Sequence, residues 1–315
     1  MLKYRSYLVT GGAGFIGSHL VEKLIQLGCQ VRVLDDFSTG KEENLAHLTG
    51  QVEVVRGDIR NLDLCYQAAR GIEVILHQAA LASVPASISD PVLAHEINLT
   101  GTLNLLLAAA KTSIKSFVLA SSSAVYGDDQ TFPKIEGQEG KPLSPYASQK
   151  LSSEKYCQVF SWLYGFNAVC LRYFNVFGPR QDPSSQYAAV IPNFITRMLQ
   201  GLPPEIYGDG CQSRDFIYVE NVVQANLKAA SFDHFRGQAF NIGASKRITI
   251  NELANSINSC LGVAIQPVYA APRAGDIRES WADISRAEKY LGFKPEINFE
   301  QGLKLTVDWY CSRLK

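Results

Sequence analysis

A tyrosine and a lysine four positions apart, Tyr146 and Lys150 in the stretch KPLSPYASQK, could together hold and move a proton. On a helix they share one face. Ser144 is a good helix cap and Pro145 a good first helical residue, so the sequence predicts a helix that begins here and runs through YASQKLSSEKYCQVFSWLYG. Any exposed helix can carry the same pair, so its chemical meaning depends on what accompanies it.

The first companion is VTGGAGFIGSHL, which spaces Gly11, Gly14 and Gly17 as Gly-x-x-Gly-x-x-Gly between a strand-like and a helix-like run. Glycines there permit a tight turn and close approach of the backbone to a pyrophosphate, which sits at the positive end of the following helix. The next strand-like run, VRVLDD, ends in Asp35 and Asp36. A carboxylate at that point accepts both ribose hydroxyls and repels a 2′-phosphate, which favours NAD over NADP. Asp36 also suits a plain solvated turn. GDI after the third strand places Asp58 and Ile59 at the edge of an adenine, with Asp58 near its amino group.

Those motifs need a scaffold, and the first half of the chain supplies an alternating rhythm: SYLVT, SHLVEKLIQLG, QVRVLD, VEVVRG, DLCYQAARG, EVILHQA, PVLAHEINLTGTLNLLLAAAK and SFVLASS. Strand and helix in turn imply a parallel sheet covered on both faces, an α/β doubly wound fold of Rossmann type. After NAVCLRYFNVFG the sequence becomes richer in Pro, Gly and Tyr, and a smaller, less regular α/β unit is expected from Asn175. We expect residues 1–174 to form the dinucleotide-binding domain, with about 216–243 returning to it, and 175–215 with 244–315 to form a substrate domain.

Thirty basic and thirty acidic residues in 315 cancel, which gives no support for broad binding to nucleic acid or an anionic membrane. The seven cysteines are scattered without a CxxC pair, and the five histidines form no HExxH spacing, so no metal site is expected. MLKYRSYLVTGG enters a strand without a signal-like apolar segment, and the expectation is a cytoplasmic protein.

The motifs TGGAGFIG, DDFSTG, HQAA, SSSAVYG, YASQK, LRYFNVFGPR, SRDFIYV and RAGDIRESWADISRAEKYLG follow one another in an order that resembles the extended short-chain dehydrogenase/reductase family. Within it the sequence is most similar to UDP-sugar 4-epimerases, above all the bacterial UDP-N-acetylglucosamine 4-epimerases. The resemblance implies NAD as cofactor, held also by Phe15, Ile16, Gln78, Ala79, Ala80, Asn98 and Tyr173. It makes Tyr146 the base and Lys150 the group that tunes it and holds the nicotinamide ribose. A free tyrosine titrates near pH ~10, and a nearby ammonium and the positive nicotinamide ring would lower that value. A serine completes the set by relaying the proton of the reacting hydroxyl. Counting from the serine run gives Ser123, and counting back from VYG gives Ser122.

Related dehydratases and decarboxylases carry an acidic residue beside this serine or threonine, whereas here the neighbours are Ala124 and Val125. That difference implies a reaction that only moves a hydride out and back, oxidising C4 and reducing it from the other face. For the substrate, the resemblance implies Arg214 and Arg273 on the diphosphate, Asp276 on the ribose, Tyr207 at the uracil and Asn175 at the diphosphate or sugar, with Ser83, Ala189 and Val190 lining the site. Ser280 stands where epimerases limited to glucose and galactose nucleotides carry a tyrosine. Its small side chain leaves room for a 2-acetamido group. The implied reaction is interconversion of UDP-GlcNAc and UDP-GalNAc, with UDP-Glc and UDP-Gal also accepted. The alternatives are an epimerase restricted to non-acetylated sugars or acting on UDP-uronic acids, a nucleotide-sugar dehydratase or decarboxylase, and a non-catalytic NAD-binding protein. Relatives pair as homodimers through helices that here hold 92–111 and 146–164.

Overall fold

The computed structural model describes residues 2–183, 189–272 and 278–313. Its centre is a seven-stranded parallel sheet in the spatial order Arg236–Ile242, Asn167–Tyr173, Ser116–Ser122, Val74–His77, Ser6–Thr10, Gln30–Asp35, Glu53–Arg56. The short apolar runs form strands because helices cover both of their faces. Tyr7 and Val9 point into one core layer and Leu8 into the opposite one, as the two-residue period of a strand requires. The strand order reverses between Ser6–Thr10 and Val74–His77, and the crevice beyond the carboxyl ends of those strands is where such sheets take ligands.

The helix expected from SPYASQK is Pro145–Tyr164, with the Ser144 hydroxyl accepting from the Ala147 N–H at 3.1 Å. Gly165 ends it at φ 80°, a left-handed conformation that glycine adopts without strain. The long apolar stretch before it is divided into Pro91–His95, a π turn over Glu96–Thr100, and Gly101–Thr112. The π turn widens the helix at Asn98, whose amide side chain accepts from the Leu81 N–H at 2.8 Å and donates to the Leu81 carbonyl at 3.2 Å.

From Asn175 onward the strands are short. Asn175–Phe177 pairs with Phe216–Tyr218, Ser213–Arg214 lies between Ile248–Thr249 and Glu279–Ser280, and Glu205–Tyr207 pairs with Val268–Ala270. A third core layer, with Phe177, Phe194, Phe216, Leu253 and Phe299 among its members, holds this part together. Arg236–Ile242 returns to the edge of the main sheet beside Asn167–Tyr173. Among the described residues, no helix is long and apolar enough to cross a membrane.

Candidate active site

The glycine loop has the shape its spacing predicts. Gly11 sits at φ +66°, and a Cβ there would lie 2.7 Å from the Ala79 nitrogen. The helix Phe15–Gln26 starts directly after Gly14 with no side-chain cap. Its first N–H groups, those of Phe15 and Ile16 included, are therefore presented to an anion. The Asp35 carboxylate, buried at the end of its strand, accepts from the Ala13 N–H through Oδ2 and from the Phe37 N–H through Oδ1, both at 2.8 Å. Each oxygen keeps a second lone pair for a ribose hydroxyl. Burial pushes this carboxyl up despite the two amides. The residues present thus fit a dinucleotide.

Three of the expected contacts are already engaged by the chain. Asp36 is exposed and accepts from the Ser38 N–H at 2.9 Å and hydroxyl at 2.7 Å, the geometry of a turn cap. Asp58 is gripped by Arg60, whose Nε and Nη2 donate at 2.8 and 2.6 Å, and that pairing holds its carboxyl below the usual range. Asn98 spends its amide on the Leu81 backbone. Ile59 is buried so closely against Gly101 that a Cβ on that glycine would come within 2.5 Å of it. On the other side of the cleft, Gln78 and the buried Asn226 both donate to the Tyr173 hydroxyl, at 3.2 and 2.8 Å. Asn226 comes from the helix Val219–Ala230 and no motif announced it. Ala79 and Ala80 follow Gln78 out of the fourth strand, where the Ala79 N–H reaches the Thr10 hydroxyl at 3.4 Å.

Ser116–Ser122 delivers Ser122 at its carboxyl end, and Ser123 opens the 3-10 turn Ser123–Tyr126. Of the two serines, it is the Ser122 side chain that acts on the Tyr146 phenol, opposing the upward push of burial. Its own oxygen also accepts from the Ala124 N–H at 3.1 Å. The Tyr146 backbone N–H donates to the Ser87 hydroxyl at 3.2 Å. Lys150 is buried and donates from Nζ to the Ala120 carbonyl at 2.8 Å, 5.8 Å from the centre of the Tyr146 ring. Burial lowers this lysine to about 8 and pushes the tyrosine up. The ammonium engages a main-chain carbonyl, and the nearby Ser122 side chain is what opposes the effect of burial on the phenol.

One turn beyond Lys150 lies a buried ion pair that sequence reading missed. The Arg172 Nε and Nη2 donate to the two Glu154 oxygens at 2.9 and 2.7 Å, and the Ser121 hydroxyl donates to the same carboxylate at 2.5 Å. Arg172 also pairs with Glu139 and donates to the Tyr126 hydroxyl at 3.1 Å. The network ties the helix that carries Lys150 to the strand that carries Ser122 and to the turn after it. Removing one partner of a buried pair leaves the other charge uncompensated, so Glu154→Gln is expected to destabilise the fold by about 3 kcal/mol. Denaturant unfolding at neutral pH checks this; an unchanged midpoint would show that Glu139 alone satisfies Arg172.

At the substrate end, Ser280 is in register with Arg214 across two parallel strands. The Arg214 Nη1 donates to the Ser213 carbonyl at 2.9 Å, and the Asn175 side chain donates to the Asp215 carbonyl at 3.1 Å. Because Ser122 is paired with Tyr173, Asn175 emerges just beyond the catalytic end of the sheet. Ser83 caps the short helix Val84–Ser89, accepting from the Ala86 N–H. Ala189 precedes the helix Val190–Leu199, which has no side-chain cap. The Tyr207 hydroxyl donates to Glu205 at 3.2 Å. Arg273 and Asp276 lie outside the described residues. Among the described residues, no group of three or more His, Cys, Asp or Glu side chains is placed to hold a metal ion.

Known proteins carry the same architecture. Residues 7–243 match the NAD dependent epimerase/dehydratase family. A UDP-N-acetylglucosamine 4-epimerase from Methanobrevibacter ruminantium, solved with UDP-N-acetylmuramic acid, is 43% identical with a TM-score of 0.94, covering 99% of this chain and 100% of its own. The Thermus thermophilus UDP-glucose 4-epimerase, solved with NAD, is 38% identical with a TM-score of 0.87 over 97% of this chain and 98% of its own. A UDP-glucose 4-epimerase of Mycolicibacterium smegmatis is 38% identical over 310 residues, 97% of this chain and 98% of the relative. With a family match over most of its length and relatives of this identity, the chain belongs to the NAD dependent epimerase/dehydratase family, with NAD as its cofactor.

Proposed function

We propose that the protein is a UDP-sugar 4-epimerase that interconverts UDP-GlcNAc and UDP-GalNAc and also accepts UDP-Glc and UDP-Gal. The observation that carries this is the placement of Ser122 at the end of its strand beside the Tyr146 phenol, followed by Ser123, Ala124 and Val125, none of which is an acid. A serine and a tyrosine suffice to take a proton from a sugar hydroxyl and return it. Elimination of water or loss of CO2 needs further acid–base work that these neighbours do not supply.

NAD, held by the loop from Gly11 to Gly17 and by Asp35, supplies the hydride acceptor at C4 and the donor for its return. The Ser122 hydroxyl receives the proton of the 4-hydroxyl and passes it to Tyr146. Lys150 holds the nicotinamide ribose and keeps positive charge beneath the tyrosine. After the 4-keto sugar turns over, the hydride would return to the other face of C4, and Tyr146 gives the proton back to the 4-oxygen through Ser122. Arg214 and Asn175, with Arg273 and Asp276, hold the diphosphate and ribose, so that only the sugar ring moves.

Ser280, small and aligned with Arg214, supports acceptance of the acetamido group. Purified protein supplied with UDP-GlcNAc and no added cofactor is expected to equilibrate it with UDP-GalNAc, followed by NMR of the sugar mixture. Unchanged substrate or a 4-keto-6-deoxy product would overturn the reading. Ser280→Tyr is expected to cut kcat/KM for UDP-GlcNAc by about a hundredfold while sparing UDP-Glc. Equal losses on both would refute the size argument. The protein is expected to pair as a homodimer through the helix Pro145–Tyr164, where Val159, Trp162 and Leu163 share an exposed face.

A further inference from the structure

Asp215 lies between the strands Ser213–Arg214 and Phe216–Tyr218 and is fully buried. Its Oδ1 accepts from the Ala244 N–H at 2.7 Å, and its Oδ2 accepts from the Ser245 and Ala282 N–H groups at 3.0 and 3.1 Å. Its backbone is equally engaged. The Asp215 N–H donates to the Ser280 carbonyl at 2.8 Å, and its carbonyl accepts from the Asn175 N–H at 3.0 Å and side chain at 3.1 Å. Room for the carboxylate is made by Gly243, where a Cβ would stand 2.6 Å from Oδ2.

We propose that Asp215 is a positioning residue for the nucleotide-sugar, a carboxylate pin that fixes Arg214, Ser280 and Asn175 relative to one another so that the diphosphate meets a preformed site. The inference rests on the functional reading above. The pin joins a side chain's neighbour in sequence, Arg214, to two residues that only the fold brings close. Three amide N–H groups converge on one carboxylate, and an asparagine of the same shape would turn an NH2 toward at least one of them. The dinucleotide loop and Tyr146 are on other elements and should not feel that change.

Burial raises the Asp215 carboxyl to about 6 against the pull of its three amides. The charged side chains on the surrounding elements are Arg214 on its own segment, Lys246 and Arg247 after Gly243, Glu279 beside Ser280, and Asp283 beyond Ala282. Arg247 and Glu279 pair with each other at 3.0 Å at the surface. Asn175–Phe177 brings no charge. Ionised Asp215 accepts from all three amides above about pH 6, and its grip is lost as the pH falls through that value, because a protonated oxygen is a donor.

The test is binding and turnover of UDP-GlcNAc, whose diphosphate diester does not titrate in this range, by the NAD-loaded wild type, Asp215→Asn and Gly243→Ala. Both variants are expected to raise KM and the calorimetric Kd by about tenfold or more, with kcat changed by less than about threefold and NAD content unchanged. Wild-type affinity should weaken from pH 7 to pH 5, and Asp215→Asn should be flat over that span. If Asp215→Asn does not fold, Gly243→Ala and the wild-type pH series still decide. Affinity unchanged in the variants, a flat wild-type profile, or loss of NAD in step with loss of substrate overturns the inference. Absence of any UDP-GlcNAc binding by the wild type would overturn the functional reading with it, whereas binding that both variants leave intact overturns this inference alone.

Discussion

Replacing Tyr146 by phenylalanine is expected to lower kcat by about three orders of magnitude while the protein keeps its fold and its NAD. A positioned general acid–base group contributes roughly a hundredfold to ten-thousandfold, and phenylalanine removes only the hydroxyl that faces Ser122. The ring stays: Tyr146 is 8% exposed, its backbone N–H is held by Ser87, and Lys150 lies beneath it. Nothing in that packing depends on the oxygen. The residues expected to hold most of NAD, the glycine loop and Asp35, are on other elements, so the bound cofactor measured after denaturation should match the wild type. Activity within tenfold of wild type would remove Tyr146 from the proton path. Loss of NAD together with activity would instead make it a binding residue. Ser122→Ala should fall less far, because a water can span from the sugar hydroxyl to the phenol, and Ser123→Ala should change little.

What is legible in the sequence differs from residue to residue for a physical reason. The helix start at Ser144 and Pro145, the glycine loop and the alternating sheet were all legible, because each is set by contacts within a few residues or by a repeating period. The choice between Ser122 and Ser123 was not. It depends on where the Ser116–Ser122 strand ends and the 3-10 turn begins, and a shift of one residue there reverses which hydroxyl faces the tyrosine. Asp36 and Asp58, expected as cofactor contacts, also bond locally to Ser38 and Arg60, which no motif signals. Short side chains at turns readily take such local bonds. Glu154 with Arg172, and Asp215 with Ala244, Ser245 and Ala282, were invisible for the opposite reason. Their partners lie far away in sequence, and the need to satisfy a buried charge becomes visible only when the chain is folded.

The effect expected to rival that of Tyr146→Phe comes from the addition of a single methyl group at Gly17. A Cβ there would stand 2.0 Å from the Gly11 carbonyl oxygen and 2.8 Å from the Gly12 Cα. These are backbone atoms, and they cannot swing aside as the tip of a side chain can. The Gly11 carbonyl is moreover occupied, accepting from the Gly14 N–H at 3.1 Å, while the Gly11 N–H is tied to Leu34 at 2.9 Å. Gly17→Ala must therefore push the first turn of the helix Phe15–Gln26 away from the loop, which separates the Phe15 and Ile16 N–H groups from the place where the pyrophosphate is expected. Overpacking of this kind costs about 1–3 kcal/mol of stability, and the stabilisation contributed by a bound ligand is lost as well. The variant is expected to purify without NAD, to melt lower, and to show turnover at least about a thousandfold down. Added NAD should restore little, since the defect is in geometry rather than occupancy. An NAD-replete Gly17→Ala with near-normal turnover would mean that the helix can back away without cost, and the close packing of loop and helix would then not be what holds the cofactor.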